Sequence, residues 1–152
     1  MISRRASLLF SIGIAGLFFV LDRVLKHIAF HHPDYRSSII DPWLGWEYFA
    51  NPGVAFSIPI PSSLVVIVTP LILIGLLVLW QKSSTKTIFL YTGTLLLGCG
   101  ALSNFVDRVL YAITIDYIRI IYSVINIADI MILAGALLLI YHEHVLHRTH
   151  RK

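Results

Sequence analysis

Asp129 is a carboxylate set behind eight uncharged residues inside an apolar stretch, and Asp116 lies thirteen positions before it. Two such acids brought together cannot both ionise easily, so they share a proton and their apparent pKa values split. The ionised member can take a proton from water while the protonated member polarises a peptide carbonyl. This chemistry needs neither a metal nor a nucleophilic side chain. Other polar residues stand in otherwise apolar sequence: Asp22 and Lys26, one helical turn apart, then Asn104, Asp107, Arg108 and Asn126.

The elements that must position these residues follow from composition. Of 152 residues, 57% are hydrophobic and 13% are charged, whereas a soluble domain carries about 25% charged residues. Disorder and a soluble enzyme are both excluded, because one small core could not hide so much apolar surface. A single cysteine, Cys99, rules out a disulfide framework or a cysteine-built metal site. The expected fold is an all-α integral membrane domain of four transmembrane helices, with a small β-rich extracytoplasmic cradle between the first two. Spans of about 20 apolar residues fall at about 7–30, 64–80, 87–107 and 121–141. The segment 31–63 lies between the first two, and 142–152 form a tail. The 31–63 segment holds Pro33, Pro42, Pro52, Pro59 and Pro61, which forbid one long helix. Its Trp43, Trp46, Tyr48 and Phe49 suit a lipid–water boundary, and a β-rich stretch from Trp46 to Ile58 is expected.

Arg4, Arg5, Lys82, Lys86, Arg148, Arg151 and Lys152 fall in the N-terminus, the second loop and the tail. Four spans put those segments on one side, which the positive-inside bias makes cytoplasmic. Both termini are then inside. Asp22, Lys26, Asn104, Asp107, Arg108, Asn126 and Asp129 all come to the outer level, beside Asp116 in the connection between spans three and four. Charges within spans face the protein interior and mark function by default.

Plainer roles compete with this one. Asp22 and Lys26 suit an i,i+4 ion pair; Asn104 and Asn126 suit hydrogen bonds between helices; Asp107 and Arg108 suit the exit of span three from lipid, with Arg108 snorkelling. Gly93, Gly98 and Gly100 would let helices approach closely, and Cys99 suits packing. A Ser–Lys peptidase would pair Ser57 with Lys26 but leaves the two acids without a role. His142-Glu143-His144 fails the H-E-x-x-H spacing because residue 146 is Leu, and His27, His31, His32, His147 and His150 suit an exposed interface. A small proton- or ion-coupled transporter is the alternative from another class, but spans two and three carry nothing ionisable through their inner halves. An inactive scaffold is a third reading.

The chain resembles the lipoprotein signal peptidases, the bacterial type II signal peptidases, over nearly its whole length. Asp22-Arg-Val-Leu-Lys26 resembles D-x-x-x-K, and Asn51-Pro-Gly53-Val-Ala55-Phe56-Ser57 resembles N-x-G-x-A-F-[GS]. Gly100-Ala101-Leu-Ser-Asn104-Phe-Val-Asp107-Arg108 is similar to G-A-x-x-N-x-x-D-R. Asp116-Tyr117-Ile118 matches V-D-[FY], and Asn126-Ile-Ala128-Asp129 matches N-x-A-D. Arg23, Leu25, Ser103 and Ile130 depart from the residues usual at their positions.

The resemblance implies an aspartic endopeptidase of the bacterial cytoplasmic membrane. Its implied substrate is the signal helix of a prolipoprotein carrying a diacylglyceryl Cys, cut just before that Cys. It assigns catalysis to Asp116 and Asp129. Substrate-binding or site-supporting roles fall to Asn51, Gly53, Asn104, Asp107, Arg108, Asn126 and Ala128, and structural support to Asp22 and Lys26. No cofactor, metal or nucleic acid is implied; membrane lipid is the surrounding partner, and the expected state is a monomer.

Overall fold

The structure is a computed structural model that describes residues 3–53 and 60–149, with side chains described as far as residue 144. Ala55, Phe56 and Ser57 of the second motif, Ser57 as a candidate nucleophile and the far end of the expected 46–58 stretch lie outside the described residues. So do the side chains of His147 and Arg148, and all of His150, Arg151 and Lys152.

Four helices are long and apolar enough to cross a membrane. Helix α1 spans Arg4–His31, and its Ser3 cap accepts a hydrogen bond from the Ala6 N–H at 3.1 Å. It stops at His32, where Pro33 disfavours a helical conformation for the residue before it. Helix α2 spans Ser62–Lys82, starting directly after Pro61, and carries Pro70 in its interior. Helix α3 spans Ile88–Tyr111; Thr87 caps it by accepting from the Leu90 N–H, and Ala112 closes it in the left-handed region at φ 60°. Helix α4 spans Ile127–Thr149.

The fourth span was expected from residue 121, but α4 begins at Ile127. The residues before it form a hairpin: β3 (Thr114–Ile120), a two-residue turn and β4 (Ser123–Ile125). Apolar runs this short suit a strand as well as a helix. Asn126 then starts the helix, because its Oδ1 accepts from the Asp129 N–H at 2.8 Å while Asp129 Oδ2 reaches back to the Asn126 N–H at 3.4 Å. This is a reciprocal capping box, and it places Asp129 in the first turn of α4.

The sheet is larger than expected and draws on two segments. Strands β1 (Arg36–Ile40), β2 (Leu44–Asn51), β3 and β4 form one antiparallel sheet in that order. Asp116, expected in a plain connection, is in a strand opposite Phe49, and Asn51 pairs with Thr114. Ala29, Ile115 and Tyr117 form a buried cluster with Leu25, Phe30, Trp46 and Tyr48, holding the sheet against the last turns of α1.

Helices α3 and α4 meet backbone to backbone. A Cβ on Gly100 would lie 2.6 Å from the Ala128 carbonyl oxygen, and one on Gly135 would lie 2.6 Å from the Leu97 nitrogen. Gly93 belongs to the same seam; Gly98 faces α2 at ordinary contact distance instead. Small residues permit this approach where lipid offers no hydrophobic drive between helices.

Candidate active site

Three asparagines hold the two acids, and each has its orientation set by a separate donor. Asn51 Oδ1 accepts from the Gly53 N–H at 2.9 Å, so its Nδ2 faces Asp116 Oδ2 and donates at 2.7 Å. Asn126 Oδ1 is occupied by the Asp129 N–H, so its Nδ2 donates to Asp116 Oδ1 at 2.5 Å. Asn104 Oδ1 accepts from the Lys26 ammonium at 2.6 Å, and its Nδ2 donates to Asp129 Oδ1 at 2.8 Å. An ammonium only donates, so the amide of Asn104 has one possible orientation. Asn126 touches both acids and brings strand β3 and helix α4 together at the site.

Asp116 is fully buried. Burial, and then the nearby charge of Asp129, push its carboxyl up to about 7; the amides of Asn51 and Asn126 and the charge of Lys26 oppose the rise. Asp129 is only half-buried and opens into a cavity of about 450 Å³. Val65, Thr69 and Ile72 of α2, Leu97 and Ala101 of α3, and Ile132, Leu133 and Ala136 of α4 form its apolar walls, with Asn104, Arg108 and Asp129 as its polar groups. Ile130 also lines it. Arg108 donates through Nη2 to the Gly53 carbonyl at 2.7 Å, while its buried Nε has no partner among the described residues.

Behind the acids lies a buried charge cluster. Lys26 uses all three of its protons: on Asn104, on Asp107 Oδ2 at 2.8 Å and on Asp22 Oδ2 at 3.1 Å. The i,i+4 pair is therefore present, as part of a wider network. Asp22 Oδ1 accepts from the Tyr117 hydroxyl at 2.9 Å and the Ala128 N–H at 3.1 Å, tying α1 to the start of α4. Tyr117 in turn accepts from the Ile127 N–H at 3.1 Å. Asp107 Oδ2 accepts from the Ile115 N–H, next to Asp116, at 3.3 Å.

Two departures from the familiar motifs belong to this cluster, and their contribution is not evident from the sequence. Arg23 pairs with Asp107 Oδ1 at 2.5 Å and donates to the Ser103 carbonyl at 3.2 Å. Ser103 donates to Asp22 Oδ2 at 2.6 Å. The cluster thus holds Arg23 and Lys26 against Asp22 and Asp107, with formal charges cancelling. The one available signal was that each stands beside a polar motif residue, Arg23 beside Asp22 and Ser103 beside Asn104. Leu25 packs in the apolar cluster under the sheet.

At the other end of the bundle, His142 is buried, with Nδ1 2.9 Å from the Thr87 hydroxyl and Nε2 3.5 Å from Ser83 Oγ. Among the described residues, no three His, Cys, Asp or Glu side chains are grouped to hold a metal.

The fold and site define a multi-pass membrane protein with one acid, Asp129, opening into an apolar cavity and a second, Asp116, buried and joined to it through Asn126. The signal peptidase (SPase) II family pattern matches residues 14–145, and the chain belongs to that family. It is 33% identical to a lipoprotein signal peptidase of Clostridium novyi (strain NT), over 79% of this chain and 87% of that protein. It is 32% identical to a lipoprotein signal peptidase of Chlorobium phaeobacteroides (strain BS1), over 83% and 90%. A solved bacterial membrane enzyme, determined by the in meso method at 2.3 Å, superposes with a TM-score of 0.82 at 30% identity, covering 94% of this chain and 91% of that one. A second, at 1.9 Å, gives a TM-score of 0.75 at 30% identity, over 88% and 91%.

Proposed function

We propose that this protein removes signal peptides from prolipoproteins by an aspartic mechanism, cutting before a Cys that carries diacylglycerol. The observation that carries the reading is Asp116, buried with its carboxyl pushed up to about 7, joined through Asn126 to Asp129, which opens into an apolar cavity. Asp116 in its protonated form polarises the scissile carbonyl. Asp129, ionised and held by Asn104, takes a proton from the attacking water. The cavity walls accept the signal helix and acyl chains, and the Nε of Arg108, without a partner among the described residues, is placed for a substrate backbone carbonyl. Asp22, Lys26 and Asp107 serve as support, with Gly53 and Ala128 supplying backbone groups to the site.

The basic residues Arg4, Arg5, Lys82 and Lys86 support an orientation with both termini cytoplasmic. The sheet and both acids then belong to the outer face of the bacterial cytoplasmic membrane, where a lipid-anchored cleavage point would be pinned. The protein works as a monomer in this reading.

The test is cleavage of a diacylglyceryl-modified precursor by purified protein in detergent, followed by mass spectrometry. Asp116→Asn and Asp129→Asn are each expected to lose at least about 100-fold in rate, as for removal of an acid–base group. Near-normal cleavage by either variant defeats the aspartic mechanism.

A further inference from the structure

Two turns meet at the end of the sheet away from Asp116. The β1–β2 turn covers Asp41, Pro42 and Trp43, and the β3–β4 turn is Ile121–Tyr122. They lie side by side because Leu44 pairs with Ile120 and the Ile121 N–H donates to the Trp43 carbonyl at 2.6 Å. Their side chains point into open surroundings: Ile39 is 75% exposed, Ile40 57%, Trp43 50%, Ile121 50% and Tyr122 93%. Two-residue hairpin turns favour Asn or Gly where φ is positive; here Ile121, a β-branched residue, sits at φ 55°. Apolar bulk is thus kept at a turn where backbone preference opposes it.

The depth of this patch follows from what the sheet rests on. Trp46 and Tyr117 belong to the cluster formed with Leu25 and Ala29 of α1, level with Val24 and Ile28, which are 49% and 42% exposed. Those two residues continue the apolar belt of a membrane-spanning helix. The turn begins three residues along β2 from Trp46, a distance of about 10 Å at the usual strand rise. Arg36 and Arg119 both pair with Glu47, and Arg119 also reaches Asp41 at 3.9 Å, so the one acid of the turns faces a cation. An aromatic and aliphatic tip with charges behind it is the composition of an element seated at the lipid boundary.

We infer that the paired turns form a lipid anchor, with Ile39, Ile40, Trp43, Ile121 and Tyr122 inserted into the bilayer leaflet beside the sheet. The occupant of this surface is phospholipid, the surroundings that the exposed apolar faces of the four long helices already call for. Strand β3 carries both this anchor and Asp116, so the anchor also fixes the depth of that acid. The inference needs only that the helices span a membrane, and it stands apart from the chemistry proposed above.

Nitroxide labels on Tyr122→Cys and, separately, Ile39→Cys, each in a Cys99→Ala background, test it. The protein is reconstituted in vesicles of phosphatidylethanolamine and phosphatidylglycerol. Collision with oxygen, enriched in lipid, is compared with collision with a water-soluble nickel chelate. Leu137→Cys, on a face of α4 that is 57% exposed and outside the cavity, gives the lipid reference and Thr85→Cys in the α2–α3 loop the water reference. Both tip labels are expected to shift from the water value toward the lipid value, with loss of nickel collisions and gain of oxygen collisions. Labels matching Thr85→Cys overturn the anchor. Labels shielded from both reagents also overturn it, since they would show the patch covered by protein.

Discussion

Asn104 accepts from a donor-only ammonium on one side and donates to Asp129 on the other, so Lys26 acts on the acid through an amide it does not let turn. Removing Lys26 leaves Asp22 and Asp107 as buried carboxylates short of a cation. Lys26→Met is therefore expected to lose about 3–5 kcal/mol, the usual cost of breaking a buried pair from one side, measured by thermal unfolding in detergent. Asp116 gives a pH signature. Its carboxyl rises from 3.8 to about 7 in the fold, so between those values the folded protein binds more protons than the unfolded chain. Stability should fall as pH rises through that window, and Asp116→Asn should flatten the slope. The cleavage rate should likewise fall as pH climbs through about 7, when Asp116 loses its proton. The polar residues of the site were legible in the sequence because charge inside apolar stretches is conspicuous. Arg23 and Ser103 were not: their value depends on Asp107 and Asp22 across a helix interface, and a residue that differs from a motif shows nothing of its neighbour.

Among the elements, the seam between α3 and α4 carries the site, since Asn104–Asp129 crosses it. Gly100→Val would press a side chain against the Ala128 carbonyl. The expected cost is about 1–3 kcal/mol of overpacking, together with slower cleavage as the two helices separate. Gly98→Ala should leave both unchanged, because its Cβ meets only leucine side chains at 3.9 Å. A thermal melt and a cleavage assay on the two variants separate the cases. The helices themselves were legible from the length of their apolar runs. The start of α4 was not, because Ile120–Ile125 reads equally as strand, and only the pairing of β4 with β3, and of β3 with β2, decides between them. That pairing joins Asn51 to Thr114 across a whole helical pair, a separation no local pattern encodes.

For the whole molecule, the proposed orientation predicts which surfaces meet which compartment. In intact cells, with Cys99→Ala as background, a membrane-impermeant thiol reagent should label Ser37→Cys on β1. Thr85→Cys should react only after permeabilisation. The reverse pattern would invert the topology and place the acids on the cytoplasmic face. Helix α2 differs from its companions in this architecture. Its one buried residue is Thr69, beside Pro70, whose ring leaves the turn behind it without a backbone hydrogen bond. Its ends are tethered, through the Ser62 hydroxyl to the Ala112 carbonyl at 2.6 Å and through Lys86 to the Trp80 carbonyl. A rod fastened at both tips and softened midway bows outward at little cost. The enclosure it borders, walled on that side by Val65, Thr69 and Ile72, can therefore widen or narrow with the girth of what enters it.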